Sequence, residues 1–221
     1  MPYHVLIDTQ LNAELMAMIG DDCVLHLWQG EATDPALLQQ IEGYFTYGHP
    51  KVDGAVMDKM PKLRIISNFG VGVDHINLHD AKARHIPVGN TPNLVDGATA
   101  DMAFALLMAA ARNLIIGDRF ARSPEFTHYD PSVLHGLEVH GATLGIIGMG
   151  NIGTQLARRA QGFYMKVLYH NRNRRPQAEA DLGVIYTSKE ELLREADFVA
   201  ITVPMTPETR HIIARKELRM M

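Results

Sequence analysis

Three closely spaced glycines are the clearest indication of chemistry in this sequence. Gly148, Gly150 and Gly153 form a G-x-G-x-x-G pattern between an apolar run, TLGIIG, and an amphipathic segment, NIGTQLARRAQ. The first glycine permits a tight turn, the second lets the backbone approach a pyrophosphate, and the third lets the helix pack close to the strand. The amides of Asn151 and Ile152 open the helix and would point at the phosphates. The pattern predicts a dinucleotide-binding turn; the alternative is a purely structural glycine turn.

A second group of polar residues follows the next predicted strand, KVLYH. Asn171 and Arg172 stand where many dinucleotide sites carry an acidic residue, and Arg174 and Arg175 are close behind. A carboxylate at this position binds a ribose 2′-hydroxyl and repels a 2′-phosphate, whereas a guanidinium can bind a phosphate through two parallel hydrogen bonds. We therefore expect NADPH (NADP) to be preferred, with NADH (NAD) also possible. A solvated basic loop is the alternative interpretation.

The histidines and the cysteine give no second chemical site. His75 and His79 have the spacing of two metal ligands on a helix, but a polar face at a strand-to-helix turn explains them as well, and we expect no metal. The single cysteine, Cys23, lies in an apolar run and excludes an internal disulfide. No Ser-His-Asp or Cys-His set is recognisable in the sequence.

The composition is typical of a cytoplasmic globular protein. Of 221 residues, 47% are hydrophobic, enough for one large core or two modest ones. A formal net charge of −4 provides no basic surface for nucleic acid or for an anionic membrane. The N-terminus lacks a signal-peptide pattern, and the longest apolar run, residues 102–111, is too short to span a bilayer. We expect no nucleic acid and no membrane among its partners.

Short apolar runs alternate with helix-period segments along most of the chain. Strands are predicted at residues 3–8, 23–28, 63–67, 86–89, 143–148, 166–170 and 197–203, and a helix at 35–45. This alternation predicts an α/β fold with parallel sheets covered on both faces. Residues 99–113 are helical in composition and apolar on nearly every face, so this helix should be buried all round. We expect it to connect two lobes, with a boundary near residue 98, and to pack in a homodimer.

With these features in place, the chain resembles the D-isomer-specific 2-hydroxyacid dehydrogenases, and among them the glyoxylate/hydroxypyruvate and 2-ketogluconate reductases. The resemblance covers nearly the whole length and rests on the segments LRIISNFGVGVDHIN (63–77), NTPNLVDGATADMAFALLMAAAR (90–112), LGIIGMGNIG (144–153) and ADFVAITVPMTPETRHII (196–213). It implies a flavodoxin-like substrate lobe over residues 1–98. It also implies an inter-domain helix and a Rossmann doubly wound parallel sheet over residues 99–221, incomplete at its C-terminal end.

The resemblance further implies roles for individual residues. For the substrate, the amides of Val71 and Gly72 would bind a carboxylate. For the reactive end of the cofactor, Val95 and Thr99 would lie beside the nicotinamide, and Asn151 and Ile152 would cover the pyrophosphate. At the other end, Asn171 and Arg172 would meet the adenosine ribose, and Val203 and Pro204 would pack near the adenine. Core packing is the alternative role for the three valines in this set.

The resemblance implies that the catalytic arginine, the acid–base histidine and the carboxylate that tunes it come after Met221. We therefore expect the 221 residues alone to turn over at background rates. The intact protein is expected to transfer a hydride from NADPH to a small 2-keto acid such as glyoxylate or hydroxypyruvate. Two alternatives are a nucleotide-binding dimeric regulator, like the corepressors related to this family, and an inactive truncated product.

Overall fold

The computed structural model describes residues 2–128 and 131–221 and separates them into two units. The first unit ends at Leu94 and the second begins at Val95. Each unit has its own parallel sheet with helices between strands, which confirms the α/β class expected from the sequence. The boundary expected near residue 98 falls inside the helix that opens the second unit.

The first unit alternates strands with short helices. Its strands are β1 (Tyr3–Ile7), β2 (Cys23–Leu27), β3 (Gly43–Thr46), β4 (Ile65–Asn68) and β5 (Val88–Gly89). Its helices are α1 (Ala13–Ile19), α2 (Pro35–Leu38), α3 (Gly54–Met57) and α4 (Leu78–Ala83), and a 3-10 turn covers Gly30–Ala32. The strands form one parallel sheet in the order β2-β1-β3-β4-β5.

The two faces of this sheet are covered to different extents. Leu6, Tyr44 and Ile66 lie in register on neighbouring strands, and all three are buried in the core of the unit. On the other face, Tyr3 is 51% exposed and Ile65 is 47% exposed. Within the described residues, the expectation that both faces are covered therefore holds for one face of this sheet and only in part for the other, where Ile7 is buried.

The helix predicted over residues 35–45 is wrong in its second half. Helix α2 ends at Leu38, and Gly43–Thr46 forms β3, an inner strand between β1 and β4. The spacing of Leu37, Leu38 and Ile41 imitates a helical face. The aromatic pair that follows, Tyr44 and Phe45, favours a strand, and burial of Tyr44 between neighbouring strands decides the outcome.

The second unit also alternates strands with helices. Its helices are α5 (Asp96–Ala111), α6 (Leu114–Ala121), α7 (Pro131–Leu134), α8 (Asn151–Gln161), α9 (Pro176–Leu182), α10 (Lys189–Glu195) and α11 (Arg215–Leu218). Its strands are β6 (Thr143–Ile147), β7 (Lys166–His170), β8 (Ile185–Tyr186) and β9 (Phe198–Ile201). The strand order is β8-β7-β6-β9. In order along the chain this reads 3-2-1-4, the arrangement that begins a Rossmann sheet.

Helix α5 is buried on one side only. Ala100 and Ala111 are buried, and the ring of Phe104 lies 4.9 Å from that of Phe163. On the other side Met102 is 60% exposed and Leu106 is 62% exposed. Within this single chain, packing therefore covers one side of the helix, and burial of the other side by a second subunit stays a prediction. No single helix in the described part of the chain is long and apolar enough to cross a membrane, although α5 and α6 meet that test together across a 61° bend.

Candidate dinucleotide-binding site

The glycine triplet forms the turn between β6 and α8, and its members meet different surroundings. Gly148 has φ of 109°, a conformation that side chains rarely adopt, and a Cβ there would lie 2.8 Å from the backbone carbon of Thr202. A Cβ on Gly153 would overlap the carbonyl oxygen of Gly148. A Cβ on Gly150 would meet no protein atom within 4 Å. Gly148 and Gly153 therefore let the turn pack, whereas Gly150 leaves open space above the turn for a ligand to approach.

Hydrogen bonds from the neighbouring strands fix this turn. The amide of Gly148 donates to the carbonyl of His170 (3.0 Å), and the hydroxyl of Thr202 donates to the carbonyl of Gly148 (2.6 Å). The side-chain oxygen of Asn171 accepts from the amide of Met149 (3.1 Å). Asn171 therefore has a structural role besides the absence of an acidic group at this position, because its side chain holds the glycine turn against the end of β7.

A cleft of about 450 Å³ opens beside this turn at the carboxyl ends of β6, β7 and β9. Strand β7 lies on one side of β6 in the sheet and β9 lies on the other, so the order of the strands reverses at β6. Open α/β sheets bind ligands at such a switch point. The cleft brings together six residues predicted from the sequence, namely Gly148, Gly150, Asn171, Arg172, Val203 and Pro204. The predicted glycine turn, arginine loop and β9 segment therefore meet at one place.

The other predicted residues lie elsewhere. Asn151 and Arg174 line a neighbouring cleft of about 440 Å³, which shares Gly150 with the first. Ile152 packs its side chain against the core of the unit. Val95 directly precedes α5, and Thr99 is exposed in the first turn of that helix.

Of two further residues in the cleft, Arg175 was named from the sequence only as part of the basic loop, and Glu208 was missed. Arg175 lines both this cleft and the neighbouring one. Glu208 lines the wall formed by the segment after β9, and the pKa of its carboxyl is lowered first by a hydrogen bond with the Thr206 side chain and, to a smaller extent, by the charge of Arg172. The signal for Glu208 is the TPET stretch, where two threonines flank the acid. The cleft therefore pairs a basic loop with one carboxylate.

In the first unit, the loop after β4 has an unusual hydrogen-bond pattern. The buried side chain of Asn68 donates to the carbonyls of Gly70 (2.7 Å) and Gly72 (2.9 Å), and Asn90 donates to the carbonyl of Val71 (2.9 Å). Among the described residues, the amides of Val71 and Gly72 have no acceptor within the protein. A loop whose carbonyl groups accept hydrogen bonds from side chains, and whose amide groups have no acceptor, can donate those amides to an anion.

Two imidazoles lie beside this loop. The rings of His49 and His75 are 4.6 Å apart, and His49 has φ of 59°, which is uncommon for a residue with a side chain. A Cβ on Gly70 would lie 2.9 Å from Nε2 of His49, so a larger residue there would require the imidazole to shift. The pKa of His75 is lowered first by burial and then by the nearby His49.

This lowered pKa predicts how stability depends on pH. A histidine whose pKa is lower in the fold than the unfolded value of 6.5 binds more protons after unfolding, so stability is lost as the pH falls through and below 6.5. We expect His75→Gln to flatten the fall in melting temperature between about pH 7 and pH 5.5. His79→Gln, at an exposed imidazole on α4, is the control. Equal slopes for wild type and His75→Gln would contradict the assignment.

The chain is similar to known dehydrogenases and reductases along nearly its whole length. Residues 104–221 match the D-isomer specific 2-hydroxyacid dehydrogenase, NAD binding domain. The chain is 38% identical to the glyoxylate reductase of Pyrococcus horikoshii over 98% of its own length and 68% of the relative. A solved protein of Thermus thermophilus gives a TM-score of 0.86 at 36% identity, over 99% of this chain and 70% of that protein. D-lactate dehydrogenase from Aquifex aeolicus, solved with NAD and lactic acid, gives a TM-score of 0.87 at 27% identity, over 99% and 66%.

Proposed function

This chain belongs to the D-isomer specific 2-hydroxyacid dehydrogenase family, and on that basis we propose that it serves hydride transfer between a nicotinamide dinucleotide and a small 2-keto acid such as glyoxylate. The observation that carries the proposal is the cleft at the switch point, where the glycine turn, the arginine loop and the segment after β9 meet. The nicotinamide ring, when bound, supplies the hydride that reduces the carbonyl carbon. The residues of the chain bind and orient the two reactants.

The residues present fit a dinucleotide. The open space above Gly150 admits a pyrophosphate, and helix α8, which begins at Asn151, directs its first amides and the positive end of its dipole there. The finer part of the proposal is that NADPH is preferred to NADH. Its support is that Arg172 and Arg175 line the cleft, while the residue at the end of β7 is the neutral Asn171, already bound to the glycine turn.

For the substrate, we propose that the amides of Val71 and Gly72 bind its carboxylate. The support is the loop pattern, in which the side chains of Asn68 and Asn90 hold the carbonyls and leave these two amides without a protein acceptor among the described residues. Hydrogen bonds to a charged group are stronger than neutral ones, so two amides fix the orientation of a small acid.

Binding of oxalate, a two-carbon analogue of the acid, tests the function. Titration of oxalate into the NADPH-saturated chain should give heat from specific binding, and Gly72→Pro, which removes one of the two donors, should weaken it. His79→Gln, at an exposed position on α4, should bind oxalate as wild type does. The alternative, a nucleotide-dependent regulator, predicts that NADPH changes the oligomeric state and that oxalate does not bind. Absence of oxalate binding would count against the reductase.

We also propose that the chain forms a homodimer in the cytoplasm. Met102 and Leu106 remain exposed on α5, and Leu114, Ile115 and Ile116 are exposed on the next helix, α6. An exposed apolar patch of this kind is typical of an interface, and a second copy of the chain would cover it.

Light scattering tests the homodimer. We expect the wild-type chain at micromolar concentration to have the mass of two copies and Leu106→Arg to have the mass of one, because a charge inside an apolar interface is costly. Met18→Arg, at an exposed methionine on α1 in the first unit, should leave the dimer intact. A wild-type chain with the mass of one copy would refute the proposal.

A further inference from the structure

The loop that carries the arginines is tied to a buried tyrosine of the sheet. Tyr169 of β7 is fully buried, and its hydroxyl donates to Oε1 of Glu179 on α9 at 2.6 Å. The same hydroxyl accepts from the backbone amide of Arg175 at 2.7 Å. Because the hydroxyl has one proton and free lone pairs, these two bonds use it in both directions. The end of the loop is thereby fixed to the sheet and to α9 together.

Glu179 in turn binds the neighbouring arginine. Nε of Arg174 donates to both carboxylate oxygens (2.8 and 3.0 Å), and Nη2 donates to Oε2 (2.6 Å). The pKa of Glu179 is lowered first by Arg174 and then by Tyr169, while the pKa of Tyr169 is raised first by burial and then by Glu179. The carboxyl is therefore charged and the tyrosine neutral at neutral pH, as this pattern of donors requires. The charge of Arg174 is matched by Glu179.

The start of the loop has its own anchor. The side chain of Asn171 accepts from the amide of Met149 and donates to the carbonyl of Asn173 at 3.1 Å. With Asn171 fixed at one end and Arg175 at the other, Arg172 is held between two anchored points. Both Arg172 and Arg175 line the cleft at the switch point.

We propose that Tyr169 and Glu179 are positioning residues for cofactor choice. They hold residues 171–175 so that Arg172 and Arg175 face a 2′-phosphate, and Arg174 serves as a strut within the loop. The inference rests on the proposed preference for NADPH. Its physical basis is preorganisation, since a loop that is ordered before binding loses less conformational entropy when the phosphate arrives. Without the Glu179 carboxylate, Arg174 has no matching charge and the hydroxyl of Tyr169 loses its acceptor.

The test compares affinities for NADPH and NADH by fluorescence titration of the chain. Glu179→Gln and, independently, Tyr169→Phe should weaken NADPH binding by about 10-fold and change NADH binding by less than about 2-fold. Glu138→Gln, at an exposed glutamate in the segment before β6, is the isosteric control and should leave both affinities unchanged. In a double-mutant cycle, adding Glu179→Gln to Arg172→Ala should cost less than it costs in the wild type, because the positioned arginine is already absent.

A second readout separates the inference from the proposed function. Amide hydrogen exchange at residues 171–175 should be faster in Glu179→Gln than in wild type, with exchange in β7 unchanged. Equal affinities of the wild-type chain for NADPH and NADH would refute the cofactor preference. Amide hydrogen exchange would still show whether Tyr169 and Glu179 order the loop. Unchanged exchange, unchanged NADPH affinity in both variants, or a parallel fall for NADPH and NADH would each overturn the positioning role.

Discussion

Replacement of Gly153 by alanine is expected to abolish useful dinucleotide binding, weakening the affinity for NADPH by roughly 100-fold, or about 2.7 kcal/mol. The added Cβ overlaps the carbonyl oxygen of Gly148, and it would lie 3.1 Å from the hydroxyl of Thr202. The helix cannot retreat freely, because Leu156 and Ala157 of α8 are fully buried. The clash must therefore displace the glycine turn. Overpacking of this kind should also lower the free energy of unfolding by about 1–3 kcal/mol.

Fluorescence titration with NADPH and urea denaturation measure the two effects. Gly162→Ala, at the other end of α8, is the matched control, since its Cβ would be 3.5 Å from the carbonyl of Arg159, an ordinary contact. Gly150→Ala separates the effects, because its Cβ meets no protein atom within 4 Å and lies where the pyrophosphate would approach. We expect Gly150→Ala to weaken binding without loss of stability. Wild-type affinity in Gly153→Ala would mean that the turn does not form the site.

The glycine turn was predictable from the sequence because its chemistry is local. Gly148, Gly150 and Gly153 follow a strand and open a helix, and each requirement falls on a backbone position that the pattern itself identifies. The alternation of strands and helices indicated the α/β class in the same way. Features defined within one short segment of chain are the ones that residue types and spacing determine.

Strand β3 and the surroundings of α5 were not predictable in this way. Residues 35–45 have apolar spacing that suits a helix, and only pairing with β1 and β4, distant in the chain, selects a strand for Gly43–Thr46. Helix α5 has apolar residues on nearly every side, so its sequence cannot indicate which side the unit covers. Tertiary contacts override the helical spacing at β3, and at α5 they decide which side of a correctly predicted helix is buried.

The site residues divide along the same line. Arg172 and Arg174 are the same residue type and lie two positions apart in one loop. Arg172 nevertheless lines the cleft at the switch point, whereas Arg174 is bound by Glu179. The sequence contains Glu179 five residues after Arg174, but the carboxylate becomes its partner only because α9 folds back towards the loop. Glu208 joins the cleft from a segment that follows a different strand. Only the folded structure thus indicates whether a charged side chain is free to bind a ligand or is already paired with a neighbouring residue.

Arg172→Ala is expected to weaken NADPH binding by about 10- to 100-fold while NADH binding changes by less than about 2-fold. The range follows from the loss of a charge-assisted hydrogen bond to a phosphate dianion, a group that NADH lacks. Glu208 lines the same cleft, and the charge of Arg172 makes a small contribution to the lowered pKa of its carboxyl, so attraction between the two residues slightly reduces the net gain from binding a phosphate. The effect should therefore lie within this range and not above it.

The comparison includes two further variants and a salt series. Arg194→Ala, at an exposed arginine on α10, removes the same charge away from the cleft and should leave both affinities unchanged. Arg172→Lys keeps the charge but cannot form two parallel bonds, so its NADPH affinity should fall between wild type and Arg172→Ala. Added salt should weaken NADPH binding more in wild type than in Arg172→Ala, because the removed interaction is the one that salt screens. Equal losses for NADPH and NADH in Arg172→Ala would show that the loop supports the turn and does not read the 2′-phosphate.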